Sequence, residues 1–413
     1  MDDRTVLVRP TANDYTPADN PRFAGRYRRF PTIAYLRRHA RAHLPRFAFE
    51  YLDGGAGADG GIARNWAALD AVELLPRYGV TTALPPVGVE LFGRRYSAPI
   101  GVAPMGGPSI VWPGADGYLA AAAQRALLPY TLGLVGGMTV ERAAEIAPDV
   151  LWFQLYRCSR NEHSIGFDLV RRADAAGVHV LVLTIDVPVR TTRSREVAVG
   201  ITSPFRATPR IVASTLAAPG YLSALLRHGQ PRFGNLRPYT GAEVDASELT
   251  SFVRREMGGA FTWDEIARYR ERWKRPLVVK GILHPADAEK CVALGVDGIV
   301  VSNHGGRQVE GLPASIDVLP AISRAVGSRA VVMLDSGVRS GLDVVRAVAL
   351  GADMVFAGKA FLWGLGALGA EGPGHVIDLF IDEMKSALGQ IGGRRPLDAR
   401  SVTIRHPGAY TFP

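Results

Sequence analysis

Short runs rich in Val, Ile and Leu, mostly without charge, recur at 100–103, 129–132, 151–156, 180–185, 277–280, 299–302, 330–334 and 354–357. Turn-forming residues bound each run, and helix-length amphipathic stretches separate them. A strand with one wet face alternates apolar and polar residues, whereas an unbroken apolar run suits a strand buried on both faces. Eight such strands alternating with helices predict a parallel sheet, and eight is the number that closes a (β/α)8 barrel. A doubly wound open sheet gives the same alternation, but no GxGxxG opens the first βα unit. The expected fold is therefore α/β: a (β/α)8 TIM barrel with an N-terminal helical segment and a long loop after strand four.

Residues 1–30 read as an extended basic arm containing Pro10, Pro17 and Pro21, and residues 31–413 as the barrel domain. Helical periodicity begins near Thr32 with Ile33, Leu36 and Arg37, and a second segment over 45–51 ends at Asp53-Gly54-Gly55. Most repeats span about 20–30 residues, the ordinary βα unit. Between the fourth and fifth runs lie roughly ninety residues, and a connection of that length is usually functional or mobile. This loop, about 197–262, contains an uncharged stretch at 211–226 interrupted by Pro219 and Gly220. Arg206, Arg210, Arg227, Arg232 and Arg237 flank it. The stretch is too short and too broken to span a bilayer. A lid over the active site is the first reading, with a membrane-surface anchor just behind it.

Composition narrows the partners. With 47% hydrophobic and 21% charged residues, the 413-residue chain can bury a sizeable core. A formal net charge of +9 suits an anionic substrate and cofactor, an acidic membrane surface or nucleic acid. The cations are scattered and no nucleic-acid-binding signature occurs, so nucleic acid is not expected. The two cysteines, Cys158 and Cys291, have neither CxxC nor metal-ligand spacing, which fits a reducing compartment and no bound metal. The N-terminus carries no signal-like apolar run, so a cytoplasmic protein is expected.

In such a barrel the reacting groups stand at the C-terminal strand ends. Those ends carry Pro104-Met105-Gly106, Gln154 and Tyr156, Thr184 and Asp186, Lys280, His304 and Arg307, Asp335, and Gly358-Lys359. Taken singly, each is readable as a polar residue satisfied at a rim; taken together they read as a site. The densest cluster is Ser302-Asn303-His304-Gly305-Gly306-Arg307-Gln308. Imidazole is matched to proton transfer near neutral pH, and guanidinium is the natural fork for a carboxylate. A lone histidine beside a glycine turn is more often structural; the arginine three residues later tips the balance here. Asp186 is the carboxylate expected to grip the imidazole.

The string 302–308 closely resembles the active-site signature of the FMN-dependent 2-hydroxy acid dehydrogenase/oxidase family, which includes glycolate oxidase, L-lactate dehydrogenase and mandelate dehydrogenase. Further matches follow in order from about residue 32: Phe49-Glu50-Tyr51, Ala103-Pro104, Phe153-Gln154-Leu155-Tyr156, Leu183-Thr184-Ile185-Asp186, Val279-Lys280-Gly281 and Asp335-Ser336-Gly337-Val338-Arg339. The resemblance implies FMN as cofactor and oxidation of a small L-2-hydroxy acid, lactate-like by preference, to the 2-oxo acid. His304 would be the base and Asp186 its orienting partner. Arg307, Arg193 and Tyr51 would hold the substrate carboxylate, with Arg195 the rival to Arg193. Tyr156 would face the substrate hydroxyl, and Lys280 the flavin N1/C2 carbonyl, where a cation offsets developing charge. Gln154, Thr184, Ser302, Asp335 and the backbone of Ala103, Pro104 and Met105 would contact the ring. Ser336, Gly337, Arg339, Gly358 and Lys359 would hold the phosphate. Lys359 and Gly133 depart from the family's usual Arg and Ser. The resemblance also implies a homotetramer, electrons passed to quinone, oxygen or another acceptor, and, through 231–236, a link to respiratory enzymes peripheral on the inner membrane face. The alternatives are a non-redox FMN barrel enzyme such as an isomerase, and a non-catalytic anion-binding barrel.

Overall fold

The computed structural model describes residues 21–79, 84–189, 191–201, 207–240, 252 and 256–412. All eight predicted runs are parallel strands: β1 Ile100–Val102, β2 Tyr130–Gly133, β3 Leu151–Leu155, β4 Val180–Thr184, β5 Leu277–Ile282, β6 Gly298–Val301, β7 Val331–Leu334 and β8 Met354–Ala357. Each hydrogen-bonds its successor, and β8 pairs with β1, closing the barrel. The strands β1 to β4 are buried at every position, which is why their sequences carry no alternation. Outside them, helices present one apolar stripe to the sheet: Val344, Val345 and Val348 of Gly341–Ala349, and Ala288 and Cys291 of Pro285–Ala293, are buried.

A hairpin of Val89–Leu91 and Arg94–Tyr96 precedes β1. Its Phe92 ring packs 5.8 Å from Trp152, which packs 5.3 Å from Phe356 and donates an indole hydrogen bond to Tyr96 Oη at 3.2 Å. These aromatics pack the barrel interior around Trp152.

The predicted N-terminal helices are Ile33–His43 and Arg46–Asp53, followed by Gly60–Asp70. Helix Ile33–His43 packs on Lys359–Leu368, where a Cβ at Gly366 would lie 2.6 Å from a Leu44 methyl and 3.1 Å from Ala40 Cβ. The extended arm needs correction. Residues Pro21–Arg29 form a helix with Phe23 buried against the His375 ring at 5.3 Å, and the remainder of the arm, 1–20, lies outside the described residues.

The long connection after β4 also holds structure: helices Ser194–Ala198, Pro209–Leu216 and Pro219–His228, and a 3-10 turn Arg237–Tyr239. Arg206 lies outside the described residues. The motif at 231–236 anchors this insertion to the barrel. Asn235, fully buried, accepts from Val140 N–H at 2.8 Å, and Gly234 donates to Gly136 O at 3.0 Å. A Cβ at Gly234 would lie 2.4 Å from the Met138 backbone, so only glycine permits that approach. No helix among the described residues is long and apolar enough to cross a membrane.

Candidate active site

His304 begins the 3-10 turn His304–Gly306 just beyond β6, with its own backbone left-handed at φ 58°. That conformation costs a non-glycine residue about 1–3 kcal/mol unless its surroundings hold it. Here they do. His304 N–H donates to Ser302 Oγ at 3.0 Å, Gly305 N–H to Ser336 Oγ at 2.9 Å and Gly306 N–H to Asn303 Oδ1 at 3.1 Å. Asn303 and Asn65, both buried, exchange amide hydrogen bonds of 2.9 and 2.6 Å. Sequence reading missed Asn65, which lies in an unremarkable helix and gains its role only through tertiary pairing.

The imidazole Nδ1 lies 2.8 Å from Asp186 Oδ1. Burial would raise the Asp186 pKa, but the charges of His304 and Lys280 outweigh it and hold the carboxyl below its ordinary value. An ionised carboxylate only accepts, so Nδ1 carries the hydrogen of this bond and Nε2 is the ring nitrogen left to exchange a proton with a ligand. Asp186 fits against β5 because residue 281 is glycine: its φ is +106°, and a Cβ there would lie 2.5 Å from the Asp186 Cβ.

Lys280 Nζ, also buried, donates to Ser302 Oγ at 2.7 Å and pairs with Asp335 at 3.0 Å and Asp186 at 3.9 Å. Burial would lower its pKa; the two carboxylates more than reverse that, and the ammonium stays charged. Ser302 is thus occupied by Lys280 and the His304 amide rather than lining the cleft, contrary to the ring contact expected of it.

Arg307 Nη1 donates to the carbonyls of Tyr51 and Gly54 at 2.9 and 2.8 Å, at the C-terminal end of helix Arg46–Asp53. Its Nη2 donates to Glu196 Oε1 at 3.0 Å, and Arg193 Nη1 reaches the same oxygen at 3.0 Å. Arg193 Nε also donates to Arg307 O at 3.3 Å, so the two guanidinium groups are neighbours. Burial and then the charge of Arg193 lower the Arg307 pKa. Arg195 points elsewhere, to Glu50, to Asp53 at 3.1 Å and to Asp59 at 2.9 Å, so it ties the loop to the N-terminal helices. Tyr51 Oη donates to Gly106 O at 2.7 Å, and its ring centroid lies 5.3 Å from the Arg307 guanidinium. The Tyr156 pKa is pushed up to about 12 by burial and then by Asp186, so its phenol keeps its proton. Glu196 is the second residue that sequence reading missed.

The cleft beside these groups holds about 950 Å³ of empty space, counting the solvent at its mouth. Ala103, Pro104, Met105, Lys280, His304, Asp335, Ser336, Gly337, Gly358 and Lys359 line it. Register sets Gln154 opposite Val182 and Thr184 opposite Lys280, and alternate residues of a strand share a face, so Gln154, Thr184 and Lys280 point the same way. Gln154 Nε2, Thr184 Oγ1 and Thr131 Oγ1 are buried without a protein partner. Each such group costs about 1–3 kcal/mol unless a ligand satisfies it, and a flat ring edged with carbonyls and nitrogens would do so. Thr131 stands out in hindsight as a polar residue inside an apolar run. A Cβ at Gly133 would lie 2.7 Å from Met105 O, so a serine there would displace the backbone against which the ring is expected to lie.

The phosphate end differs from expectation in its side chains. Gly358 caps the helix Lys359–Leu368, whose free N–H groups suit an anion. Lys359 Nζ, however, donates to Asp53 O and Gly54 O at 2.7 and 3.0 Å. Burial, then repulsion from Arg307, pushes its pKa well below the ordinary lysine value. The Ser336 hydroxyl is bound to Asp335 and to the 303–305 turn. Arg339 Nη2 holds Asp70 at 2.6 Å, and its buried Nη1 lies 3.6 Å from the Asp343 carboxylate. The backbone amides that open helix Lys359–Leu368 therefore fit a phosphate, while Arg339 is engaged by Asp70 and Asp343. With Gln154 and Thr184 orphaned on the same strand face as Lys280, which lines the cleft, these residues fit FMN.

Comparison with known proteins agrees. The family described as FMN-dependent dehydrogenase matches residues 40–406. An L-lactate dehydrogenase of Caulobacter vibrioides is 37% identical over 360 residues, 87% of this chain and 93% of that one. One of Stenotrophomonas maltophilia is 36% identical, covering 87% and 94%. Among solved structures, the monotopic membrane protein (S)-mandelate dehydrogenase superposes with a TM-score of 0.85 at 31% identity, covering 91% of this chain and 99% of that one. Mandelate oxidase superposes at 0.78 with 32% identity, covering 91% and 99%. The chain thus belongs to the FMN-dependent dehydrogenases, oxidoreductases of the 2-hydroxy acid class acting on CH–OH donors with FMN as cofactor.

Proposed function

We propose that this protein oxidises a small, lactate-like L-2-hydroxy acid to the 2-oxo acid, with His304 as the base. The observation that carries this reading is the ionised Asp186 holding His304 Nδ1 at 2.8 Å, beside the Arg193–Arg307 pair. The substrate carboxylate docks on Arg307 and Arg193, aided by the Tyr51 hydroxyl once it turns away from Gly106 O. Tyr156, still protonated, donates to the substrate oxygen. His304 Nε2 accepts the proton lost as the alcohol becomes a carbonyl, and Asp186 stabilises the imidazolium. FMN, when bound, would supply the acceptor for the two electrons and the second hydrogen. Lys280, fixed by Asp335 and Asp186, sets a positive charge against the negative charge that accumulates on reduction. A lactate-like substrate is favoured because the named relatives of highest identity quoted above are L-lactate dehydrogenases.

The test is anaerobic stopped-flow reduction of the flavin by L-lactate, glycolate and mandelate in wild type and His304→Asn. The variant is expected to stay folded and yellow while reduction slows by about 10²–10⁴-fold. Normal bleaching of the variant would remove His304 from its role.

A peripheral, quinone-linked enzyme is the reading we favour for the acceptor. The insertion exposes Val212, Leu216 and Leu226 close to Arg210 and Arg227, an apolar-and-cationic pairing suited to an acidic membrane surface. The mandelate dehydrogenase neighbour is itself named a monotopic membrane protein. Sedimentation with anionic vesicles, lost in a Leu216→Ser/Leu226→Ser double variant, would support it; stoichiometric peroxide from a protein that ignores vesicles would overturn it.

A further inference from the structure

Glu196 has no part in the roles assigned so far, yet among the described residues it is the one carboxylate shared by both guanidinium groups of the clamp. Its Oε1 accepts from Arg193 Nη1 and Arg307 Nη2, each at 3.0 Å. Its side chain is only 16% exposed, as is that of Arg307, so little water screens the trio. Such an arrangement sets two quantities at once.

The first is donor supply. A guanidinium has five N–H groups. Arg307 commits three of them, to Tyr51 O, Gly54 O and Glu196, while Arg193 commits two, to Arg307 O and Glu196. The remaining five outnumber the roughly four acceptor sites of one carboxylate. Glu196 therefore steadies both groups without exhausting them.

The second is charge. Two guanidinium groups and one carboxylate leave a net single positive charge, matched to one substrate carboxylate. A second carboxylate on the substrate would enter a weakly screened cleft where, among the described residues, the clamp offers no further unbalanced charge and Lys280 is already matched by Asp335 and Asp186, and desolvating an unbalanced charge is costly. We propose that Glu196 is a specificity-determining residue: by cancelling one of the two clamp charges it fits the site to monocarboxylic 2-hydroxy acids and turns dicarboxylic ones away. This inference rests on Arg193 and Arg307 being the substrate clamp.

The test compares flavin-loaded wild type, Glu196→Gln and Glu196→Asp. Substrates are L-lactate and L-malate; binding is read separately from the flavin absorption change with oxalate, a dianion, and pyruvate, a monoanion. Glu196→Gln, which keeps an acceptor but loses the charge, is expected to raise the malate-to-lactate ratio of kcat/KM by about tenfold, mainly through KM. It should tighten oxalate relative to pyruvate by a similar factor, and less so at high salt. Glu196→Asp, which keeps the charge, should retain wild-type discrimination. Equal losses of kcat/KM for both substrates in Glu196→Gln, with an unchanged oxalate-to-pyruvate ratio, would overturn the proposal. A wild-type protein that binds oxalate and pyruvate but is reduced by no 2-hydroxy acid would defeat the substrate reading alone. The oxalate ratio would still decide the role of Glu196.

Discussion

His304, Asp186, Lys280 and Asp335 stand on or just beyond the barrel strands β4 to β7, and their charges meet one another in a buried cluster. Arg193, Glu196 and Arg307 are organised differently. The first two belong to the short helix Ser194–Ala198 and its start, and the third leans on carbonyls at the end of helix Arg46–Asp53. The floor of the cleft is dictated by strand register, which cannot slip without turning side chains to the other face. The rim is assembled from connecting segments, which tolerate change better. In the proposed reaction, proton chemistry and substrate choice therefore fall to separable parts of the molecule.

The sharpest way to break this division is at the floor. Asp186→Asn should leave the fold and the KM nearly intact while flavin reduction slows about 10³-fold, because the imidazole loses both its tautomer and its counter-ion. A loss smaller than tenfold in anaerobic stopped flow would mean that the floor is not set by this pair. At the rim the expected effect is smaller and falls on the other constant. Arg307→Lys replaces a fork by a point charge and should raise KM by about thirtyfold, roughly 2 kcal/mol, with a lesser fall in kcat. Arg193→Lys should do less, since Arg193 lacks the pair of carbonyls that fixes Arg307. A kcat defect larger than the KM defect in Arg307→Lys would merge the two regions.

The smallest effect belongs to a control remote from both. Glu383 accepts from Gly341 N–H at 2.6 Å, and burial pushes its pKa from 4.5 up to about 7. Between those values the folded chain holds a proton that the unfolded chain releases. This stabilisation is complete below pH 4.5 and is lost as pH rises through 7. Glu383→Gln should flatten the thermal-melting profile across that window, raise Tm at pH 8 by a few degrees and leave turnover unchanged. A profile as steep as wild type would assign the slope to another group.

Much of the floor was legible in the sequence, because an unbroken apolar run and the polar residue that ends it are both local features. All eight runs became strands displaced by no more than a residue or two. His304, Asp186 and Lys280, placed at strand ends by that reading, do come within hydrogen-bond or ion-pair distance of one another. The rim was less legible because its geometry arises between distant segments. Arg193 and Arg195 are two residues apart and chemically alike, and only the turn into helix Ser194–Ala198 separates them. Lys359 looked like a phosphate ligand from its glycine neighbour, but the carbonyls that hold it are 305 and 306 residues earlier. The helix Pro21–Arg29 was hidden by its many arginines, although Pro21 at its first turn and the apolar Phe23 were the available signals.

The bond from Arg307 to Tyr51 O joins residues 256 positions apart. At roughly 5–20 residues per second of synthesis, the helix bearing Tyr51 waits about 10–50 seconds for its partner to be made. During that interval Leu36, Phe47 and Leu52, buried in the finished protein, have no barrel to cover them. A ribosome-bound chain of this protein therefore leaves that apolar surface uncovered until its last βα units emerge, and the proposed substrate clamp closes only after Arg307 has been made.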